Sequence, residues 1–331
     1  MDALCAGDAA EHIHRVREGS IHELVMIFPG ALGDFLLALP ALRLLRREHR
    51  DARTTLVVAG AVRGAARLGG LADEIASLDD ASTAWLFGGT TLPAWLARRP
   101  AVVSWLGGDP SLRARLATAA ATSRLLGVER GPGPVHAMMA YARAAGVERG
   151  WNELAGAARI APPDSPRAHA LAARLPRPLL AIHRGAGAPA KRWSRDGFVA
   201  VAEGWRRTAG SVIELLGPAE AADDALACAV PVRDGDLNDV AALLGLVDAY
   251  AGNDSGVSHL AAAVGCRGVA IFTATDPARW APVGGAIVAL DDRATGRDPA
   301  ASSTLSPTSI LALLAARESL TSSDPGSSVR A

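Results

Sequence analysis

The sequence predicts an α/β protein built from two parallel-sheet halves that face a central cleft. Three observations carry that expectation. Short apolar runs alternate with stretches of helical spacing in the order strand, helix, strand, which is the pattern of parallel βαβ units. The alternation occurs twice, on either side of a proline-rich stretch that holds Pro162, Pro163, Pro166, Pro176 and Pro178. The length of 331 residues suits two domains better than one, at roughly 100–200 residues each.

Each element follows from local pattern. Residues 1–20 are polar and aperiodic, with His12 and His14 scattered among them, and read as a loose arm. Leu24-Val25-Met26-Ile27-Phe28, stopped by Pro29-Gly30, reads as a buried strand. Residues 34–47 show apolar residues at helical spacing with basic residues in the last turn, where the helix dipole favours them. Strands are expected at 54–58, 74–78 and 101–105, and helices at 111–126 and 135–145. The first domain then spans 21–160 and the proline-rich linker 161–178, with a short helix possible at 168–175. The second domain, 179–304, opens with a strand at 179–183 and a helix capped by Ser194. A strand at 211–216, helices near 219–228 and 236–246, and a strand at 249–251 follow. A helix at 256–264, stopped by Gly265, and a strand at 268–272 complete the pattern. Within 305–331, a helix at 306–316 is expected to cross back onto the first domain before a disordered Ser-rich tail.

Composition narrows the function. The 34 basic and 34 acidic residues cancel, which argues against a nucleic-acid binder working through a basic face. Cys5, Cys228 and Cys266 show no CxxC spacing, so neither a disulfide framework nor a zinc knuckle is indicated. No apolar stretch reaches the roughly 18–20 residues of a membrane span, and no basic region followed by an apolar run opens the chain. A cytoplasmic protein is expected, with peripheral contact to a membrane face left open. The chain has a single lysine, Lys191, against 33 arginines. A GC-rich genome explains the arginine excess. A lysine that survives such pressure is either an accident or a place where a compact point charge is required, which a planar guanidinium does not replace.

Three segments can carry chemistry. In Pro29-Gly30-Ala31-Leu32-Gly33-Asp34, Gly30 and Gly33 permit a tight strand-to-helix turn and close ligand approach. Asp34 is then either an N-cap or a functional carboxylate facing the crevice. The glycine spacing is not GxGxxG, which disfavours a dinucleotide site. In the run from His183 to Trp193, small residues at Gly185, Ala186 and Gly187 expose backbone N–H groups beside Lys191 and Arg192. That combination suits a phosphate, although an ordinary solvated loop would look the same. In Gly252-Asn253-Asp254-Ser255-Gly256, Asp254 or Ser255 caps a helix whose first N–H groups form an anion site. His259 lies four residues after Ser255, on the same face, and can equally be a buried helix residue. Asp234-Gly235-Asp236 is a DxD string, better read as capping the next helix through Asp236. No HExxH, His/Cys metal spacing, Walker loop or GxSxG is present.

In order and spacing, these segments resemble the ADP-heptose:lipopolysaccharide heptosyltransferases of glycosyltransferase family 9, over residues 22–317. The strings are Gly33-Asp34 with Leu39-Pro40-Ala41-Leu42, His136 with Tyr141, Gly185-Ala186-Gly187 through Lys191-Arg192-Trp193, Gly252-Asn253-Asp254-Ser255-Gly256 with His259, and Thr275-Asp276-Pro277-Ala278-Arg279-Trp280. The resemblance implies a GT-B fold, two Rossmann-like domains facing a cleft, with the acceptor on the first domain and the nucleotide-sugar on the second. It implies inverting, metal-independent transfer of heptose or a related sugar from ADP-heptose or a similar donor to a glycan hydroxyl. The lipopolysaccharide inner core is the expected acceptor, free or lipid-linked, and no cofactor or metal is expected. It makes Asp34 the catalytic base, beside the Gly30 and Gly33 loop on the acceptor side, and Lys191 a second catalytic residue that contacts the diphosphate and ribose. Gly185, Ala186, Gly187, Glu220, Asp254, Ser255, Gly256 and His259 would complete the nucleotide-sugar site, with Glu220 at the ribose. A different glycan, a secondary metabolite or a catalytically silent nucleotide-sugar-binding module are the alternatives. The chain departs from the family pattern at residues 1–20, which are extra, at Val257-Ser258, and at Thr273-Ala274, which stands where Gly-Pro is common. Residues 291–305 stand in place of a Cys-containing stretch.

Overall fold

The structure, a computed structural model, describes residues 21–107, 109–127, 133, 135–208, 210–217, 220, 225–233, 235–293 and 305–316. The expected arm at 1–20 and the tail beyond 316 lie outside the described residues. The apolar run Leu24-Val25-Met26-Ile27-Phe28 is buried throughout, as the central strand of a parallel sheet covered on both faces must be. It forms β1 (Glu23–Phe28), paired in parallel with β2 (Arg53–Val58) on one side and β4 (Ala101–Ser104) on the other. With β3 (Glu74–Ser77) and β5 (Thr122–Leu125) at the edges, the order is β3-β2-β1-β4-β5.

The first half also contains α1 (Leu32–Glu48), α2 (Arg63–Gly69), α3 (Ala94–Ala97), α4 (Pro110–Ala119), α5 (Ala137–Ala144) and α6 (Trp151–Ala157). In α1, every residue from Phe35 to Leu42 is buried. A helix apolar on all sides needs neighbours on all sides. Here α5 and α6 supply one flank, and the second half supplies another through α10 (Gly256–Ala263).

The second sheet holds β6 (Leu179–His183), β7 (Ser211–Leu215), β8 (Val230–Val232), β9 (Ala249–Asn253), β10 (Arg267–Phe272) and β11 (Ala286–Asp291). All are parallel, in the order β11-β10-β9-β6-β7-β8. Around it stand α7 (Pro166–Ala173), α8 (Arg195–Arg206), α9 (Leu237–Leu246), α11 (Pro277–Trp280) and α12 (Pro307–Ala315). Gly265, at φ 86°, stops α10 in the left-handed region. In each sheet the strand order reverses direction beside the first strand, between β1 and β4 and between β6 and β9. Ligands of open parallel sheets bind at the carboxyl ends of strands at such switch points. The three glycine-bearing segments follow β1, β6 and β9.

Several expectations are corrected. The helix expected at 111–126 ends at Ala119, because Ala120 turns to extended backbone at ψ 156° and Thr122–Leu125 joins the sheet edge. The helix read at 219–228 falls partly on residues outside the description, and 225–228 are not helical. The pattern missed the helices α2, α3, α6 and α11 and the strands β11 and β8, whose Pro231 is tolerated because β8 is an edge strand. The proline-rich stretch is more than a connector. Ser165 caps α7, donates to Asp239 Oδ1 at 2.7 Å, and seats that helix on α9 of the second half. The C-terminal helix α12 does not cross back. It packs on α8 and β10, burying Ile310 and Leu314 with Phe198 and Trp205, and Arg267 Nη1 donates to Ala316 O at 2.8 Å. Among the described residues no helix is long and apolar enough to cross a membrane.

Candidate active site

Asp34 sits in the first turn of α1, directly after β1. It does not cap the helix, because Ala31 holds the N-cap position and makes no side-chain cap bond. The carboxylate is half-buried and accepts a hydrogen bond from Tyr141 Oη of α5, at 3.0 Å on Oδ1. Gly30 is buried beneath it, and a Cβ there would stand 2.7 Å from Asp34 Cβ. The turn therefore admits no side chain at that position.

Across the cleft, Asn253 at the end of β9 fixes two loops at once. Its Oδ1 accepts from Trp193 N at 2.9 Å and its Nδ2 donates to Arg184 O at 2.6 Å. The loop between them carries Gly185, Ala186 and Gly187 and ends in a short turn at Lys191. Ala186 is buried, whereas a Cβ on Gly187 would meet nothing within 4 Å. Lys191 Nζ donates to Asp254 Oδ2 at 2.7 Å, and Thr275 Oγ1 donates to the same oxygen. Asp254 is buried while the lysine side chain stays 31% exposed. An ammonium has three donors, so this one retains donors for a ligand. Thr273 Oγ1, at the family departure, donates to Ala190 O at 2.6 Å and fastens the same loop to β10.

Ser255 is the N-cap of α10 and accepts from Ser258 N. Its hydroxyl also lies 3.2 Å from His183 Nδ1. Burial first, then the positive charges of Arg184 and Arg192, push His183 down to about 4. Ser258 Oγ bonds Asn253 O at 2.5 Å and Tyr250 Oη at 2.9 Å, which locks the start of α10 to β9. Burial raises the Tyr250 phenol, so it stays protonated.

His259 is buried with its Nε2 3.9 Å from Asp254 Oδ1. Among the described residues its Nδ1 has no partner. Burial lowers its pKa more than the carboxylates of Asp254 and Asp34 raise it, so the imidazole is neutral at pH 7. The two helix starts meet here. A Cβ on Gly33 would lie 2.9 Å from His259 Cδ2, and one on Gly256 would lie 2.8 Å from Leu32 Cβ. The glycines let two positive helix ends approach, which makes the space between them favourable for an anion.

Glu220 is turned inward. It is buried against Gly185, its Oε2 accepts from Gly217 N at 3.2 Å, and its Oε1 lies 3.5 Å from Arg192 Nη2. The structure thus gathers Asp34, Gly30 and Gly33 on one wall, with Gly185, Ala186, Gly187, Lys191, Glu220, Asp254, Ser255, Gly256 and His259 on the other. Sequence reasoning assigned no role to Tyr141, Asn253, Thr273 or Thr275. Their polar groups are aimed at backbone or at Asp34 and Asp254, and only their places within or beside the recognised strings hinted at it. A clasp joins the halves nearby, where Arg279 Nη1 donates to Val135 O and His136 Nε2 meets Ala281 O, each at 3.0 Å. Asp236 caps α9 through Asp239 N, and Asp234 lies outside the described residues. Among the described residues no group of three or more His, Cys, Asp or Glu is placed to hold a metal ion.

A family model for glycosyltransferase family 9 (heptosyltransferase) matches residues 93–304. The chain belongs to that family. It is a glycosyltransferase with the GT-B fold. The matched stretch contains Lys191, Glu220, Asp254 and His259 and begins after Asp34. The structure is similar to a glycosyl transferase family 9 from Veillonella parvula, at 16% identity, covering 89% of this chain and 97% of that one, with a TM-score of 0.65. It is similar to ADP-heptose lps heptosyltransferase II of E. coli, at 16% identity, covering 88% and 98%, with a TM-score of 0.64. For the E. coli heptosyltransferase WaaC with ADP the figures are 16%, 87%, 97% and 0.57. At such identities the likeness concerns the fold. No curated protein matches the chain.

Proposed function

We propose that this family-9 enzyme transfers heptose, or a closely related sugar, from ADP-heptose or a similar nucleotide-sugar to a glycan hydroxyl, with inversion and without a metal ion. The lipopolysaccharide inner core is the acceptor this reading favours. A lipid-linked acceptor would bring the enzyme to the inner face of the cytoplasmic membrane as a peripheral protein. The observation that supports the reading is the pairing across one cleft of the Asp34 carboxylate with the Lys191–Asp254 pair, where the starts of α1 and α10 meet through Gly33 and Gly256.

In this reading the first half takes the acceptor and the second half the donor. The diphosphate lies against Lys191, the loop of Gly185 and Gly187, and the first N–H groups of α10, with His259 beside it. Asp254 orients Lys191, and Thr275 holds Asp254. The acceptor oxygen attacks the anomeric carbon from the face opposite the diphosphate. Its proton passes to Asp34 as the new C–O bond forms, and the diphosphate departs with the electron pair of the broken C–O bond. Lys191 and the helix N–H groups stabilise the growing negative charge, the task a cation performs elsewhere. A ribose hydroxyl reaches Glu220 by displacing Arg192. The test offers the purified protein a panel of nucleotide-sugars and a heptose-deficient inner core, in EDTA, with mass spectrometry of the product. One added heptosyl unit supports the reading. Transfer of a different sugar, or turnover that needs an added divalent metal, would refute the corresponding part.

A further inference from the structure

We infer that Tyr141 is a positioning residue that selects which oxygen of Asp34 receives the acceptor's proton; this rests on the base role given to Asp34 above. Tyr141 reaches the site from α5, 107 residues along the chain from Asp34. The residue is 3% exposed. Its ring packs edge-on against Phe28 at 5.5 Å and 69°. Phe28 in turn packs edge-on against Phe35 and Trp105, at 6.0 and 5.8 Å. The phenol is therefore held by the aromatic cluster that fixes the β1–α1 junction itself. From that seat it donates to Asp34 Oδ1 at 3.0 Å.

Among the described residues no side-chain donor reaches the other oxygen. With Oδ1 already holding the phenol's hydrogen bond, Oδ2 is the oxygen whose lone pairs are both open to a proton. In the transfer, the acceptor O–H proton moves to Oδ2 and the acceptor oxygen's electron pair forms the bond to the anomeric carbon. The carbon–diphosphate bond breaks with its pair on the leaving oxygen. Tyr141 touches the base and is itself buried, so it acts through Asp34. Without the phenol, the carboxylate is free to rotate toward the cationic side of the cleft. The proton acceptor then spends less time aligned with the attacking hydroxyl, and misalignment on this scale costs about 10–100-fold in rate.

The test is a double-mutant cycle on the full chain with Tyr141→Phe, Asp34→Asn and the pair. Turnover of ADP-heptose, ADP affinity by calorimetry and melting temperature are the readouts. Tyr141→Phe keeps the ring and its packing. It is expected to lower kcat about 10–100-fold with KM for the donor, ADP affinity and melting temperature unchanged. In the Asp34→Asn background, removing the phenol is expected to change the rate less than about twofold, because no base is left for it to align. Full kcat in Tyr141→Phe would overturn the inference, as would an equal loss with and without the Asp34 carboxylate. Failure of the underlying reading is separately visible as an active Asp34→Asn enzyme.

Discussion

Replacing Lys191 by methionine removes the cleft's lysine charge and keeps most of the side-chain volume. In the wild type, Nζ spends one donor on Asp254 Oδ2 at 2.7 Å, and the side chain remains 31% exposed. The remaining donors are what a diphosphate would meet. A hydrogen bond to a charged group contributes about 1.5–3 kcal/mol, which is about 10–150-fold in a dissociation constant. Exposure favours the lower part of that range. Asp254 keeps Thr275 as a donor and His259 nearby, so the loop should hold its fold. Calorimetric titration with ADP measures the loss directly. The companion Lys191→Arg keeps the charge but offers a planar fork in place of a point. On the proposed reading, which has the diphosphate held in both ground and transition states, it should weaken ADP and slow turnover together. Wild-type ADP affinity in Lys191→Met would refute the assignment. A fully active Lys191→Arg enzyme would make the lone lysine an accident of codon usage.

Asn253→Ala strips the side chain that ties Trp193 N and Arg184 O together. With both of these hydrogen bonds lost, one buried and one part-buried, chemical denaturation should show a loss of about 2–4 kcal/mol, and ADP affinity should fall with it; unchanged stability would contradict the account. Stability should also depend on pH through His136, which burial lowers to about 4 from an ordinary 6.5. Its neutral ring donates through Nε2 to Ala281 O and accepts at Nδ1 from Met138 N. Between those two values the unfolded chain binds more protons than the folded one. The contribution is therefore fully present above about 6.5 and lost as pH falls toward 4. Melting temperature measured from pH 7 to pH 4 should fall less steeply in His136→Asn than in wild type. Equal slopes would remove His136 as the cause.

Much of the fold was legible because buried parallel strands announce themselves. Leu24 to Phe28, Leu179 to His183 and Gly268 to Phe272 are apolar runs that no solvated element would carry. The edges were less legible. Thr122–Leu125 and Val230–Val232 bury little, so their sequences lack the strong apolar signal, and one lay hidden behind an alanine-rich helix. The course of α12 was misjudged because amphipathicity says that a helix has an apolar face and not which surface receives it. At the candidate site, glycine-bearing turns and the lone lysine pointed to loops that the structure brings together at one cleft. What the sequence withheld was long-range pairing. Tyr141 meets Asp34 and Thr275 meets Asp254 only through the packing of α1 against α5 and of β9 beside β10. The choice between cap and chemistry at Asp34 likewise needed the helix start to be located at Leu32.

The central claim is that Asp34 accepts the acceptor's proton, and the rate of product formation by Asp34→Asn tests it most directly. Asparagine keeps the shape and the bond from Tyr141 but is no base. With ADP-heptose and the inner-core acceptor in EDTA, product followed by mass spectrometry should form roughly 10²–10⁴-fold more slowly than in wild type, while ADP binds with unchanged affinity. Product formed at the wild-type rate would contradict the claim.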